Sequence, residues 1–418
     1  MSNRRAFLKS AGTAGLAVGF GAIQQPLIAN SFHEMAVPED LTADLPELSE
    51  ADYKIRQDKA RYWMRKFNID AIFVEGGTNL SYFTDTSWWS SERLFGFILS
   101  PDNEPVWICP AFELKRAKEV IKYGTDIRIW EEHESPYALF NGVMKDLGVP
   151  GGKLGIGPNV RNFMSEGIRK VAKFELVNGA PVTERSRAVK TDKEIQYMDV
   201  ANRITKLAYR EGFANLREGM DTGDLGQIIR SAHSKYGASG GGGPLFGHTS
   251  AFPHGTRERK TLAEGDIILV DGGCSVKGYR SDVTRTIVYG EPNAKQREVW
   301  NVVKEAQDGA FDIIKAGLPC SEADKAARRV VEKAGYGKGY KNFAHRLGHG
   351  IGMEGHEYPY LVSSNGLEME TGMTFTNEPG IYLYGEFGVR IEDSFVVTEN
   401  GYKNFGDMAS VSIDKPFG

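Results

Sequence analysis

The chain has 418 residues, a formal net charge of −4 and 25% charged residues, which indicates a globular protein with room for two domains. Because 51 basic side chains are balanced by 55 acidic ones, nothing favours nucleic acid or an anionic membrane as a partner. Three cysteines, an odd number without metal-type spacing, argue against a disulfide framework.

Residues 1–30 are predicted to be a targeting segment. Arg4 and Arg5 precede Phe7-Leu8-Lys9 and a weakly apolar run from 11 to 23. This pattern resembles a twin-arginine signal, which predicts export of the folded protein to the periplasm. The alternative is an ordinary basic N-terminus followed by a short apolar helix. The run is too short for a stable membrane span, and no other stretch approaches that length.

The next part of the chain is expected to form a linker over 31–49 and an α/β domain over 50–182. Strand-like apolar runs alternate with helical patterns there, and no catalytic motif is present. The polar segment Ser87–Ser91 contains two adjacent tryptophans that cannot both face one core. It predicts either one buried and one half-exposed tryptophan or a loop that contacts a ligand or partner.

Residues 183–418 are expected to form the second domain. A long helix is predicted after Thr191 or Asp192, either of which can cap it. Three more helices are predicted over 224–236, 296–315 and 321–334, and the last third is rich in strands and loops.

A hairpin around residue 271 carries the first chemistry. The strand Ile267–Val270 leads to Asp271, and Lys277-Gly278 is a plausible turn before a β-branched return strand. With this turn Asp271 faces Thr284, and Asp282 shares the face of Thr284. Both carboxylates then project to one side, where they either hold a cation or are simply solvated.

Three further donors lie downstream: His349, Glu378 before Pro-Gly at the end of a strand, and Glu392 within a predicted strand over 389–397. Four carboxylates and one imidazole suit two hard or borderline divalent ions, with Mn²⁺ favoured over Co²⁺, Fe²⁺ or Zn²⁺. Two such ions would balance the four negative charges. No cysteine takes part, which argues against a structural zinc site.

Two histidines flank this set, His254 before the hairpin and His356 after His349. A single histidine is usually structural. Beside two metal ions, however, imidazoles have a use, since they can donate hydrogen bonds to a carbonyl oxygen and to the developing oxyanion.

The order Asp271, Asp282, His349, Glu378, Glu392 resembles the dinuclear metallopeptidases of the pita-bread fold, which include Xaa-Pro aminopeptidase, Xaa-Pro dipeptidase (prolidase) and methionine aminopeptidase. The resemblance covers roughly residues 183–410. The segment Asn79–Thr84 resembles the N-terminal domain of the Xaa-Pro and creatinase branch. The resemblance implies an α/β N-terminal domain followed by an α+β pita-bread catalytic domain, and a homodimer.

The resemblance also implies a role for each site residue. The five donors would bind metal, and Glu378 would in addition act as the base. The residues implied to contact substrate or intermediate are His254, His345, His356 and Arg390. For Arg390 an alternative is an ion pair with a ligand carboxylate.

The implied reaction is metal-dependent hydrolysis of the peptide bond before proline by a metal-bridging hydroxide, acting on proline-containing di- or oligopeptides. Dipeptidase and aminopeptidase both stay open, although the compact interval between Glu378 and Glu392 resembles prolidases. Other members of the fold offer alternatives: a dimethylsulfoniopropionate lyase-like enzyme, a phosphotriester hydrolase, or a non-catalytic peptide-binding module. The sequence does not specify the native metal or the residue preferred before proline.

Overall fold

The computed structural model describes residues 40–171 and 173–418. The predicted signal segment over 1–30 lies outside the described residues, so the twin-arginine signal and export stay predictions. Within the described residues no helix is both long and apolar enough to cross a bilayer.

The N-terminal elements build one mixed six-stranded sheet with helices on both faces. In chain order the elements are α1 (Glu50–Phe67), β1 (Ala71–Glu75), α2 (Thr78–Thr84), β2 (Gly96–Leu99), β3 (Val106–Pro110), α3 (Leu114–Val120), β4 (Asp126–Trp130), α4 (Pro136–Asp146), β5 (Gly152–Ile156), α5 (Asn162–Val171) and β6 (Phe174–Asn178). The strand order in the sheet is β4-β3-β2-β1-β5-β6. The β1–β2 and β2–β3 pairs are antiparallel, whereas β3–β4, β1–β5 and β5–β6 are parallel.

The central strand β1 shows why this sheet is covered on both sides. All five of its residues are buried. Ile72 and Val74 belong to one apolar cluster, and Ala71 and Phe73 belong to another. Because alternate side chains of a strand point to opposite faces, the two clusters lie on the two sides of the sheet.

The tryptophan pair matches the first of its two interpretations. Trp88 is 8% exposed and stacks on Phe95, whereas Trp89 is 49% exposed. The guanidinium of Arg116 lies 3.8 Å from the centroid of the Trp89 ring. A contact between this loop and a partner stays a prediction.

The C-terminal part combines five α-helices with strands of four small sheets. Its elements are α6 (Ala180–Ala188), α7 (Asp192–Ala214), α8 (Thr222–Lys235), β7 (Ser239–Gly240), β8 (Gly243–Phe246), β9 (Ile267–Gly272), β10 (Cys274–Val276), β11 (Tyr279–Arg280), β12 (Val283–Val288), α9 (Ala294–Phe311), α10 (Cys320–Lys333), β13 (Gly348–Gly350), β14 (Glu357–Leu361), β15 (Thr374–Asn377), β16 (Gly380–Leu383), β17 (Phe387–Arg390), β18 (Asp393–Val397) and β19 (Tyr402–Asn404). The sheet orders are β11-β10-β7, β12-β9-β8, β14-β13-β15-β18-β19 and β16-β17.

The hairpin register agrees with the prediction. Lys277 and Gly278 have φ angles of 50° and 82°, the pair of positive values that a tight two-residue hairpin turn requires. Strands β9 and β12 are antiparallel neighbours, and Asp271 pairs with Thr284. The turn chemistry therefore places Asp271 and Asp282 on neighbouring strand ends.

The strand predicted over 389–397 is in fact two strands, and this prediction was wrong. Strand β17 ends at Arg390 and β18 begins at Asp393, so Glu392 lies in the break between them. There the backbone N–H of Glu392 donates to the carbonyl of Thr284 at 3.1 Å. This hydrogen bond to β12 places Glu392 beside the hairpin, where the Thr284 hydroxyl also donates to its carboxylate.

The described part of the predicted linker packs against the second domain. The backbone N–H of Leu41 donates to the carbonyl of Tyr236, and the Tyr197 hydroxyl donates to the carbonyl of Pro46. Leu41 and Leu45 contact the core around α7 and α8. Residues 40–49 are therefore held against the second domain by hydrogen bonds and apolar contacts. The division predicted between 182 and 183 falls inside α6, and the domain boundaries stay predictions.

Candidate active site

The five donors predicted to bind metal converge on one cavity of about 240 Å³. They arrive from separate elements: β9 supplies Asp271, the residue before β12 is Asp282, and β13 carries His349. Glu378 directly follows β15, and Glu392 lies between β17 and β18. Several separate strands and the residues next to them thus direct these side chains towards a common centre.

The potential ligand atoms of this centre are close enough together to share metal ions. Potential ligand atoms lie within 4.8 Å of one another in three overlapping groups of three residues. The groups are Asp271 with Asp282 and Glu392, His349 with Glu378 and Glu392, and Asp282 with His349 and His356. His349 Nε2 is 3.1 Å from Glu378 Oε1 and 3.8 Å from Asp282 Oδ2. The structure therefore brings together all five predicted ligands.

The imidazole of His349 is oriented for ligation. Its Nδ1 lies 3.1 Å from the carbonyl oxygen of Gly350, which fixes the proton on that nitrogen and turns Nε2 towards the carboxylates. Burial alone would lower the pKa of His349, but the hydrogen bond to Glu378 raises it. A divalent ion at the Nε2 position would replace the second proton.

The buried carboxylates of the centre repel one another. Burial and the neighbouring Asp271 and Glu378 raise the pKa of Asp282 well above its usual range. Burial and the charges of Asp282, Glu378 and Asp271 do the same for Glu392, which is 1% exposed. For Glu378 burial works in the same direction, but the hydrogen bond and charge of His349 lower its pKa to about 2.

Two threonine hydroxyls hold the carboxylates in place. Thr284 Oγ1 lies 2.6 Å from Glu392 Oε2 and 3.2 Å from Asp271 Oδ1. Thr376 Oγ1 donates to Glu378 Oε1 at 3.1 Å and accepts from the backbone N–H of His349. Both were detectable in principle, because Thr284 and Thr376 each lie two residues from a ligand in the chain and so on the same strand face.

Arg390 is occupied by the protein itself. Its guanidinium donates to Asp271 Oδ2 at 2.6 Å, to the Thr284 hydroxyl, to the carbonyl of Pro253 and to the Tyr382 hydroxyl. This geometry fits the alternative interpretation, an ion pair with a ligand carboxylate. Contact of Arg390 with substrate stays a prediction that these bonds do not favour.

His345 lies at the end of the same chain of hydrogen bonds. Since Arg390 can only donate to the Tyr382 oxygen, the Tyr382 hydroxyl proton is directed to His345 Nε2, 2.7 Å away. His345 Nδ1 lies 2.8 Å from the carbonyl of Arg346. Both ring nitrogens are therefore taken, and burial lowers the pKa of His345 and keeps the ring neutral. No sequence pattern pointed to Tyr382.

His254 and His356 line the cavity with exposed rings. The His356 ring stacks on that of His349, with ring centroids 3.7 Å apart. Burial and the positive charge of His349 lower the pKa of His356, so its imidazole is neutral at pH 7 and carries one N–H donor. These two histidines are the ones that the structure leaves open towards the cavity.

The donor set fits two divalent ions. Four carboxylates cannot all ionise within a few ångströms of one another unless cations neutralise them, and Arg390 supplies only one positive charge. Oxygen donors with a single imidazole are the ligands that Mn²⁺ and similar ions prefer. No described cysteine contributes, since the three thiols are buried elsewhere in the protein.

The chain is similar to known proteins over most of its length. Residues 196–399 match the metallopeptidase family M24, and residues 56–189 match the creatinase/prolidase N-terminal domain. The Xaa-Pro dipeptidase of Lactobacillus helveticus is 34% identical over 371 residues, which are 83% of this chain and 95% of that protein. The chain belongs to metallopeptidase family M24.

Solved structures agree with this assignment. A dipeptidase, PepE, from Mycobacterium ulcerans is 29% identical with a TM-score of 0.79, over 86% of this chain and 97% of that chain. A prolidase from Thermococcus sibiricus is 31% identical with a TM-score of 0.77, over 85% and 97%. The predicted fold is confirmed: a creatinase-type α/β domain precedes a pita-bread catalytic domain. The protein is an enzyme of the prolidase family of metallopeptidases.

Proposed function

We propose that this metallopeptidase is an Xaa-Pro dipeptidase that hydrolyses the peptide bond before proline with two divalent ions. The observation that carries the proposal is the convergence of Asp271, Asp282, His349, Glu378 and Glu392 on one cavity that His254 and His356 also line. The prolidases and Xaa-Pro dipeptidase among its relatives support the dipeptidase reading over the aminopeptidase reading.

The ions would be held by Asp271, Asp282, His349, Glu378 and Glu392, and Mn²⁺ is the first to test. When bound, two such ions polarise a carbonyl and lower the pKa of water, which is the source of the hydroxide expected from the sequence.

Glu378 is the group placed to move the proton. The Thr376 hydroxyl donates to one of its carboxylate oxygens at 3.1 Å. A carboxylate is ionised at pH 7 and can accept a proton from the attacking water. The same proton must reach the proline nitrogen, because a secondary amine leaves a tetrahedral carbon only when it is protonated.

His254 and His356 are placed to stabilise the oxygen of the attacked carbonyl. Both line the cavity, and the neutral His356 ring presents one N–H donor close to the His349 side of the ligand set. Such a donor strengthens its hydrogen bond as negative charge develops on that oxygen. The chain thus supplies a base and two oxyanion donors around one reaction centre.

A kinetic comparison tests the substrate. The protein loaded with Mn²⁺ should release proline from Ala-Pro and should cleave Ala-Pro-Gly-Gly much more slowly. Equal or faster cleavage of the tetrapeptide would identify an aminopeptidase. Hydrolysis of a phosphotriester without any release of proline would identify one of the other activities of this fold.

Glu378→Gln tests the base. The side-chain amide of glutamine cannot accept the proton, and it binds a divalent ion more weakly than the carboxylate does. We therefore expect at least about a 10³-fold loss of kcat. Glu399→Gln is the matched control, since Glu399 is exposed on the surface. The role of Glu378 fails if its variant, folded by circular dichroism, keeps more than a few per cent of wild-type kcat.

Export and a homodimer are further proposals from the sequence. Fractionation of producing cells, with Arg4 and Arg5 replaced by Lys as the comparison, tests export. Light scattering of the purified protein measures the mass of the particle in solution.

A further inference from the structure

The hydroxyl group of Tyr209 is buried without a hydrogen-bond partner. Tyr209 lies on α7, its side chain is completely buried, and its Oη forms no hydrogen bond with any described residue. A buried hydroxyl that has lost water and gained no partner costs free energy. Phenylalanine would fill the same space in the apolar core around α7 and α8 without this cost. Packing therefore explains the ring of Tyr209 but not its hydroxyl group.

This hydroxyl lies beside the strand that carries Asp271. A Cβ atom added to Gly242 would be 3.3 Å from Tyr209 Oη, so the absence of a side chain at Gly242 leaves room for the hydroxyl. The next residue, Gly243, pairs with Asp271 in the ladder between β8 and β9. The side chain of Tyr209 thus reaches from α7 to the part of β9 where the first candidate ligand lies.

One set of candidate ligands is close to the hydroxyl. Burial raises the pKa of Tyr209 well above its usual range, and the negative charges of Asp271, Asp282 and Glu392 raise it further. The same three residues, which we call the Asp271 group, have potential ligand atoms within 4.8 Å of one another. Tyr209 therefore adjoins the carboxylates that could hold one of the two ions.

The chemistry of a phenol suits this position. A phenol is protonated at pH 7, so Tyr209 can donate a hydrogen bond to an oxygen atom. Carboxylates that bind a metal ion are commonly held by hydrogen bonds from neighbouring groups, and losing such a bond typically weakens metal binding by about 10- to 100-fold. An otherwise unused donor next to three carboxylates is a candidate for this role.

We propose that Tyr209 is a positioning residue for the metal ion of the Asp271 group, and that its hydroxyl donates to a carboxylate oxygen of that group when the ion is bound. This inference rests on the proposed metal-dependent function and adds a contact to one of its two ions. It also explains why a tyrosine rather than a phenylalanine occupies this buried position.

Calorimetric titration of the chelated protein with Mn²⁺ tests this role. In Tyr209→Phe one of the two binding steps should weaken by about 10- to 100-fold, and the other should stay nearly unchanged. Urea unfolding of the chelated variant should show a midpoint equal to or above that of wild type, because only an unpaired hydroxyl is lost. A hydroxyl with a structural role independent of metal would instead lower that midpoint when it is removed.

Tyr197→Phe is the matched control on the same helix. The hydroxyl of Tyr197 donates to the carbonyl of Pro46. Its removal should lower the urea midpoint and leave both Mn²⁺ binding steps unchanged. The visible absorption of bound Co²⁺, which reports on its ligands, gives a second readout. The Co²⁺ spectrum should differ from that of wild type in Tyr209→Phe but not in Tyr197→Phe.

Double variants show which ion is affected. Asp271→Asn removes one carboxylate of the Asp271 group, so adding Tyr209→Phe to it should change Mn²⁺ affinity much less than in wild type. Glu378→Gln leaves the Asp271 group complete, so adding Tyr209→Phe to it should weaken the remaining binding by the full factor. Equal effects of Tyr209→Phe in the two backgrounds would contradict its assignment to the Asp271 group.

The outcomes separate this inference from the proposed function. If wild type binds no Mn²⁺, the proposed metal centre and this inference both fail. If wild type binds two ions but releases no proline from Ala-Pro, the dipeptidase function alone is contradicted. If wild type binds two ions and Tyr209→Phe binds both as tightly, or its chelated form has a lower urea midpoint than wild type, Tyr209 does not position the ion.

Discussion

Glu392 and Asp393 are neighbours in the chain and both are buried, yet their surroundings are opposite. The carboxylate of Glu392 lies among those of Asp271, Asp282 and Glu378. These four residues form the acidic cluster. Asp393 faces the other way, into an ion network made with Lys206 and Arg285. Burial raises the pKa of both carboxyls, but Arg285 and Lys206 lower that of Asp393 to about 2, whereas the pKa of Glu392 is raised well above its usual range.

The ion network is saturated with partners. Arg285 donates to Asp393 and to the carbonyls of Thr284, Glu392, Met408 and Pro416. Lys206 donates to Asp393 and to the carbonyls of Phe405 and Asp407. Every N–H donor of both cations is therefore used. Through the carbonyls of residues 405–416, the network holds the C-terminal segment against α7 and β12.

The acidic cluster lacks such partners. Within the described residues its nearby cationic groups are Arg390 and, when protonated, His349. Four carboxylates against two cations leave uncompensated negative charge in a buried site. Burial alone therefore does not mark a functional acid. The balance of charge around it does, and a deficit of cations indicates a place for metal ions.

The largest expected effect concerns the ion network. Asp393→Asn leaves Arg285 and Lys206 buried without their counter-ion, so it should lower the free energy of unfolding by about 3–5 kcal/mol in urea. The control is Asp308→Asn, which breaks a pair between Lys304 and a half-exposed carboxylate and should cost less than about 1 kcal/mol. Equal losses of unfolding free energy in the two variants would mean that Arg285 and Lys206 do not need Asp393 as their counter-ion.

Metal addition is expected to act on the acidic cluster with the next largest effect. After chelation, Mn²⁺ at 100 times its Kd should raise the free energy of unfolding by about 2.7 kcal/mol for each site filled. Urea unfolding with and without Mn²⁺ measures this gain, and Glu392→Gln should show a smaller one. An identical gain in the variant would mean that the ions bind elsewhere.

The smallest effect sharpens the contrast between the two neighbours. In the chelated protein Glu392→Gln removes a repelled acid, so the free energy of unfolding should stay equal or rise by up to about 1 kcal/mol. The same urea experiment reports it beside Asp393→Asn. A loss as large as that of Asp393→Asn would show that Glu392 stabilises the fold in its own right.

The site residues that could be predicted from the sequence are those marked by a pattern of neighbouring residues. Lys277-Gly278 specified the hairpin turn, the turn specified the register, and the register placed Asp271 opposite Thr284. Glu378 was recognisable because an acid before Pro-Gly marks the end of a strand.

The features that could not be predicted from the sequence depend on contacts between segments that are far apart in the chain. The ion network joins α7 to β12 and β18, and neither Lys206 nor Arg285 differs in sequence from a surface cation. Likewise, Arg346 and Arg390 each lie a few residues before a candidate ligand, and only the packing shows that Arg390 forms an ion pair with Asp271. The break at Glu392 arises from its backbone bond to Thr284, which no local pattern encodes.

The number of metal ions bound per chain shows whether the acidic cluster is a dinuclear site. Calorimetric titration of the chelated protein with Mn²⁺, checked by elemental analysis, should show two ions bound per chain, with protons released as His349 and the raised acids give them up. Asp282→Asn and Glu392→Gln should bind fewer. Wild-type protein that takes up no Mn²⁺, or variants that still bind two ions with unchanged affinity, would contradict the assignment of this cluster as the metal centre.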